Sequence, residues 1–425
     1  HRDLHSFPTR RSSDLVGNYL GGRIADRSTR AGILAGLFLL AAFAEVSVLM
    51  LNHLAGRFTL LVALPWPARI FLHVFFVFLA PFTCLGTISP VLTRRALGLG
   101  GAAGPTLGMM YALSLSGSRL VTFLTGYLLL AWLGNTAIVY CSGMGLAALG
   151  GVYTWAGWRE PKALAPPSAA LAKVSLREMR KEIALMFVAG MAVMTIEIIA
   201  ARLLARQFGN SLYTWTTIIG VILAAMSLGG WTGGWLAERY PGKKLLAVLF
   251  LLASAAGLAG PFTNEQLRFT SLFWGFPWPV QIALHCIAVF FPSAFLLGAI
   301  PPAVVRRAIA GAAAERHGRM IGALYASHAA GSISGTFLAG YAAISLLGSA
   351  PSWCAISAAL MLIAFLLAQE SLAIWTCASV CTLLLVSTFA PIPGLNKLAS
   401  ALALRPRYDV EIRYADESQY GYIAV

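Results

Sequence analysis

Charged residues are scarce in this chain. Asp, Glu, Lys and Arg together make up 11% of 425 residues against 58% hydrophobic, and the mean hydropathy is +0.76. That balance excludes an ordinary water-soluble globular chain. Catalytic signatures are also missing: no P-loop, HExxH, GxSxG or dinucleotide-binding fingerprint stands in its required context, and Gly98-Leu99-Gly100-Gly101 reads as a loop. Six cysteines occur with no CxxC pair and no histidine at metal-ligand spacing, which excludes a zinc or redox centre. Lying in apolar runs, they read as small buried hydrophobes.

What the chain has in abundance is long apolar runs. Leu34–Leu51, Ile183–Ala205, Trp215–Leu236 and Leu372–Phe389 approach the roughly 20 residues that cross about 30 Å of hydrocarbon. The formal charge of +15 is carried in short clusters between such runs, with no aromatic interleaving. The basic residues therefore report membrane topology, and no nucleic-acid partner is expected.

Residues 1–15 are polar and run directly into Val16-Gly17-Asn18-Tyr19, which reads as the middle of a membrane helix. The stretch Ser6 to Leu15 resembles a translated sequencing-adapter oligonucleotide joined to a truncated gene, so 1–15 is expected to be a non-native leader. With no initiator Met, a fragment is expected.

An internal repeat organises the rest. Gly17–Arg27 (GNYLGGRIADR) aligns with Gly229–Arg239 (GGWTGGWLAER) at an offset of 212. Leu85–Pro90 with Arg94-Arg95-Ala96 aligns with Leu297–Pro302 with Arg306-Arg307-Ala308 at the same offset, as do His73 and His285. Tyr111-Ala112, Gly117-Ser118, Thr122–Leu124 and Gly126-Tyr127 align with Tyr325-Ala326, Gly331-Ser332, Thr336–Leu338 and Gly340-Tyr341 at 214. Three ordered matches indicate duplication. The second copy predicts six helices, near 183–205, 213–237, 244–262, 279–304, 320–345 and 350–368. An even number leaves both halves in the same orientation.

Loops after even-numbered helices hold eighteen basic residues against four on the other side (Arg57, Arg69, Arg206, Arg268), which places the basic loops in the cytoplasm. Tandem parallel six-helix repeats resemble the architecture of major-facilitator transporters. The expected fold is an all-α polytopic membrane protein with two such halves. The boundaries read as 16–158 for a first half lacking its opening helix and part of its second, 159–182 for a cytoplasmic linker, and 183–368 for the second half. Residues 369–392 add an extra transmembrane or re-entrant helix, and 393–425 begin a small β domain.

Several polar residues fall inside this apolar frame. The repeated Gly-Gly-x-x-Ala-Asp/Glu-Arg segments carry GxxxG spacing at Gly17/Gly21 and Gly229/Gly233. They end in Asp26-Arg27 and Glu238-Arg239, read as a gating ion pair at the cytoplasmic surface or as ordinary helix-end charges. Glu197 is the carboxylate deepest in an apolar run, where an ionised group is costly and usually faces a partner or the bundle interior. Arg202 is its candidate partner if the helix bends. Arg119, Glu45, His73, His285 and His328 are candidates for lining a polar cavity.

Beyond Pro391 the pattern changes. Arg405–Tyr414 alternates polar and apolar as a half-buried strand does. Glu417-Ser418-Gln419-Tyr420-Gly421-Tyr422-Ile423-Ala424-Val425 resembles the segment that opens the spermidine synthase family. With the duplicated membrane halves, Glu197, Arg202, Gly209 and Ser211-Leu212-Tyr213, residues 16–425 resemble bacterial proteins that fuse a major-facilitator-like region to a spermidine synthase domain.

The resemblance implies aminopropyl transfer from decarboxylated S-adenosylmethionine, as co-substrate, to putrescine, with Gln419 and Tyr420 near the substrate pocket. The family's cofactor loop and catalytic aspartate match nothing here, so no catalytic residue, cofactor or metal is assigned within this chain. The principal expectation is thus the membrane part of a synthase-like aminopropyltransferase. The alternative is a major-facilitator-type transporter of a small cationic or other polar solute, and a scaffold without activity is a third reading. The expected surroundings are the lipid bilayer of a bacterial inner membrane, with a polyamine or other small molecule as substrate.

Overall fold

The computed structural model describes residues 7–28, 30–57, 66–159, 179–268, 273, 275–368, 415–417 and 422–424. Long helices dominate: α1 (Phe7–Arg27), α2 (Ala31–Gly56), α3 (Trp66–Gly98), α4 (Ala103–Leu124), the short α5 (Leu130–Trp132) and α6 (Gly134–Arg159) make up the first copy. The second has α7 (Arg180–Phe208), α8 (Leu212–Arg239), α9 (Lys243–Arg268), α10 (Trp278–Ile309), α11 (His317–Phe337), the short α12 (Ile344–Leu347) and α13 (Ser349–Leu367). Two short strands, β1 (Ala415–Glu417) and β2 (Tyr422–Ala424), pair antiparallel with Asp416 opposite Ile423.

Among the described residues nine helices are long and apolar enough to cross a membrane. In hydrocarbon a backbone must satisfy its own hydrogen bonds, and a continuous helix does so. The repeat pairs α1 with α8, α2 with α9, α3 with α10, α4 with α11 and α6 with α13; the predicted helix at 320–345 proves to be interrupted, as its counterpart is. Helix α1 extends back to Phe7, into the segment read as a leader. The extra apolar run Leu372–Phe389 lies outside the described residues.

The helices form two compact units. One holds α1 to α3, the start of α4, α5 and α6, the first part of α7, the end of α10 and most of α11. Its core gathers Ala25, Leu34, Phe38, Ala41, Ile88 and Val91, and Phe38 stacks on Tyr153 at 5.5 Å. Gly17 and Gly21 lie against the backbone of Thr83, Gly86 and Thr87, where any Cβ would collide. The predicted small-residue face of α1 is therefore used, by α3.

The other unit holds the rest of α4, α7 from Ala192, α8, α9, most of α10, the end of α11, α12 and α13. There Gly229 and Gly233 meet the backbone of Phe295 and Ala299, the same crossing one repeat later. Ser211 caps α8 by accepting from the Thr214 N–H at 3.2 Å. Trp353 is buried and stacks on Phe290 at 5.1 Å, over glycines 257 and 260, which leave room for its ring.

Candidate functional site

The first unit's most developed polar site lies where α1 runs out of apolar residues. Asp26, in the last turn of α1, receives the backbone N–H of Arg319 at 3.2 Å, and its second oxygen lies 3.1 Å from the Arg319 guanidinium. Arg319 belongs to the first turn of α11, so the carboxylate meets free N–H groups and the positive end of the helix dipole. The Asp26 side chain is 4% exposed. Burial pushes its pKa up to about 6, against the pull of the Arg319 N–H and the charges of Arg319 and Arg94.

Glycines allow this approach. Gly22 lies on the backbone of Gly318 and Gly322, and Gly318 lies against Asp26 itself. A side chain at any of the three would push α1 off α11. The ion pair thus differs from the one read in the sequence: Asp26 is joined to Arg319, while Arg27 is exposed. Adjacent residues on a helix point about 100° apart, whereas the tertiary fold delivers Arg319 from 293 residues away. A further ion pair, Glu182–Arg307 at 3.5 Å, joins the start of α7 to the end of α10.

The second unit carries the repeat-related crossing. Gly108 of α4 meets the backbone of Gly230 and Gly234 of α8, and Gly230 also abuts the Tyr111 ring. Ser227 donates to the Ala112 carbonyl at 2.8 Å and lies 2.7 Å from the Ser116 hydroxyl. Glu238 is half-buried at the end of α8, and Arg239 is exposed with Trp235 and Tyr240 rings at 6.0 and 5.9 Å.

The remaining candidates are placed as follows. Glu197 and Arg202 are both half-buried in α7, which is an unbroken α-helix. Five residues along an ideal helix turn about 140°. His328 is half-buried in α11, its backbone packed on Gly190 of α7. Arg119 lies in α4. Glu45 accepts from Ser142 at 3.3 Å. Gln419 and Tyr420 lie outside the described residues.

The two histidines of the repeat are held alike. His73 lies 3.0 Å from Asn52, and His285 lies 3.0 Å from Asn264. His285 is 1% exposed and takes the Phe208 ring edge-on at 5.5 Å. It thus joins α9 to α10 as a packed clasp. The asparagines were missed in the sequence, although Asn52 and Asn264 stand at the same offset of 212. Among the described residues no three potential metal ligands come together.

No protein-family profile matches the chain, and no curated protein does. Solved structures do. An outward-conformation structure of FucP, a Major Facilitator Superfamily transporter, matches with TM-score 0.58 and 15% identity over 85% of this chain and 88% of its own. The human organic anion transporter MFSD10 (TETRAN) matches at 0.53 and 15% over 85% and 83%. The proton:xylose symporter XylE, bound to 6-bromo-6-deoxy-D-glucose, matches at 0.53 and 13% over 86% of each chain.

The fold is thus major-facilitator-like, and the chain is a multi-pass membrane protein. These neighbours overturn the principal functional expectation. Over most of the chain the structural relatives are transporters of sugars and organic anions, and nothing links the chain to a spermidine synthase. The transporter alternative fits them.

Proposed function

We propose that the chain is a transporter of a small polar solute in a bacterial inner membrane, its basic loops facing the cytoplasm, and that Asp26 works as a latch there. The observation that carries this reading is the burial of the Asp26 carboxylate on the N-terminus of α11, over a glycine crossing that brings two backbones into contact. A buried ion pair between helix ends is costly to assemble and weak as a source of net stability. It is well suited to holding one of two arrangements, because removing either partner leaves an uncompensated charge. Alternating access requires such a contact to form and break. The major-facilitator-like fold supports the reading independently.

The test is uptake by the purified chain in liposomes, screened with labelled sugars, organic anions and organic cations. Transport of one class above protein-free liposomes is expected, falling roughly 10-fold or more in Asp26→Asn and in Arg319→Ala. No uptake of any class, or full activity in Asp26→Asn, would overturn it.

A further inference from the structure

Both copies carry the same interruption at the end of a helix away from the basic loops. After α4, the Leu130 N–H bonds the Thr125 carbonyl; after α11, the Ile344 N–H bonds the Ala339 carbonyl. Each bond reaches back five residues instead of four, a π turn, and the two stand 214 residues apart, the offset of the surrounding sequence block. Such turns pack less well than a continuous α-helix and concentrate at functional sites.

A second pivot follows each one. Helix α12 is capped by Gly348, and α5 is followed by Leu133 and then Gly134, the first residue of α6; the two glycines have φ 85° and 70° and again stand 214 residues apart. Residues with side chains rarely adopt that conformation, whereas glycine reaches it freely. Between the pivots, Trp132 is 82% exposed and Leu346 80% exposed, so neither side chain is packed inside the chain.

We propose that residues 125–134 and 338–348 are a pair of repeat-related hinged flaps, each swinging between its π turn and its glycine to move the outer end of its own helix during transport. The proposal rests on the transporter reading for its purpose, but not for its mechanics. A π turn can relax to an α turn by shedding one residue from the wide ring, which shifts the following segment around the helix by about 100°. The glycine absorbs that rotation before the next long helix begins.

Hydrogen–deuterium exchange on the full chain in lipid nanodiscs tests it, comparing wild type with a deletion of Ala342, which restores four-residue spacing, and with Gly348→Ala. In wild type, amides of residues 344–347 are expected to exchange roughly 10-fold faster than those of 317–333, and the deletion should slow them by a similar factor. Gly348→Ala, strained at φ 85°, should speed them and leave 350–367 as in wild type, which keeps the test valid if the deletion fails to fold. Equal exchange at 344–347 in wild type and in every folded variant would overturn the hinge, whatever the uptake assay shows. Exchange that follows the π turn in a chain that moves no solute would remove the transport reading and leave the hinge standing.

Discussion

The His285 ring lies 3.0 Å from the Asn264 side chain with almost no solvent access, and its repeat mates His73 and Asn52 stand at the same distance in the open. One pair arose twice and met two environments. Removing a partner from a buried hydrogen bond strands the other, while the same change at an exposed site lets water replace it. His285→Ala should therefore lower unfolding stability by about 1–3 kcal/mol and His73→Ala by well under about 1 kcal/mol. Thermal unfolding in detergent reads both, and equal effects would count against the clasp.

Glycine crossings predict a sharp contrast between positions. Gly322→Ala places a methyl on the backbone of Asn18 and Gly22, whereas Gly36 has nothing within 4 Å of an added Cβ. The first change should cost about 1–3 kcal/mol through overpacking. The second should be neutral or stabilising by up to about 1 kcal/mol, since alanine is the better helix former. The same unfolding assay compares them side by side.

Trp353 is the largest fully buried side chain in the second unit, stacked on Phe290 above small residues that shape its slot. Trp353→Ala should cost about 3–5 kcal/mol, while Trp353→Phe should recover most of it. Recovery by phenylalanine separates ring packing from any role of the indole N–H.

The latch has a defined pH dependence. With its pKa raised to about 6 when docked, Asp26 binds a proton more tightly there than at the ordinary value of 3.8 it would regain in water. Its contribution to the docked arrangement is fully present below about 3.8 and is lost as pH rises through about 6. Acidification from neutral pH should thus increase the docked fraction, read as the short-distance population between spin labels at Ser28 and Arg316. Asp26→Asn should flatten the profile, and a docked fraction that falls on acidification would refute this assignment of the group.

Much of the architecture was legible from residues alone. The GxxxG spacing at Gly17/Gly21 and Gly229/Gly233 marked small-residue helix faces suited to close packing, while the structure supplied their partners, α3 and α10. Asp26 was visible as special, but its partner was not. Arg319 carries no mark distinguishing it from Arg316 or Arg307, and contact across 293 residues is set by how helices cross. The synthase resemblance failed because short local strings were asked to carry a function that depends on the whole fold.

By itself the sequence determined the solvent, the duplication and the helix count of the second copy, since these follow from hydrophobic run length and periodicity. Only the tertiary structure decided which carboxylate is buried, which histidine is sealed, and where α4 and α11 open into π turns. Those outcomes depend on the environment each residue meets, and identical residue pairs such as His73–Asn52 and His285–Asn264 show that the same local chemistry is compatible with either environment.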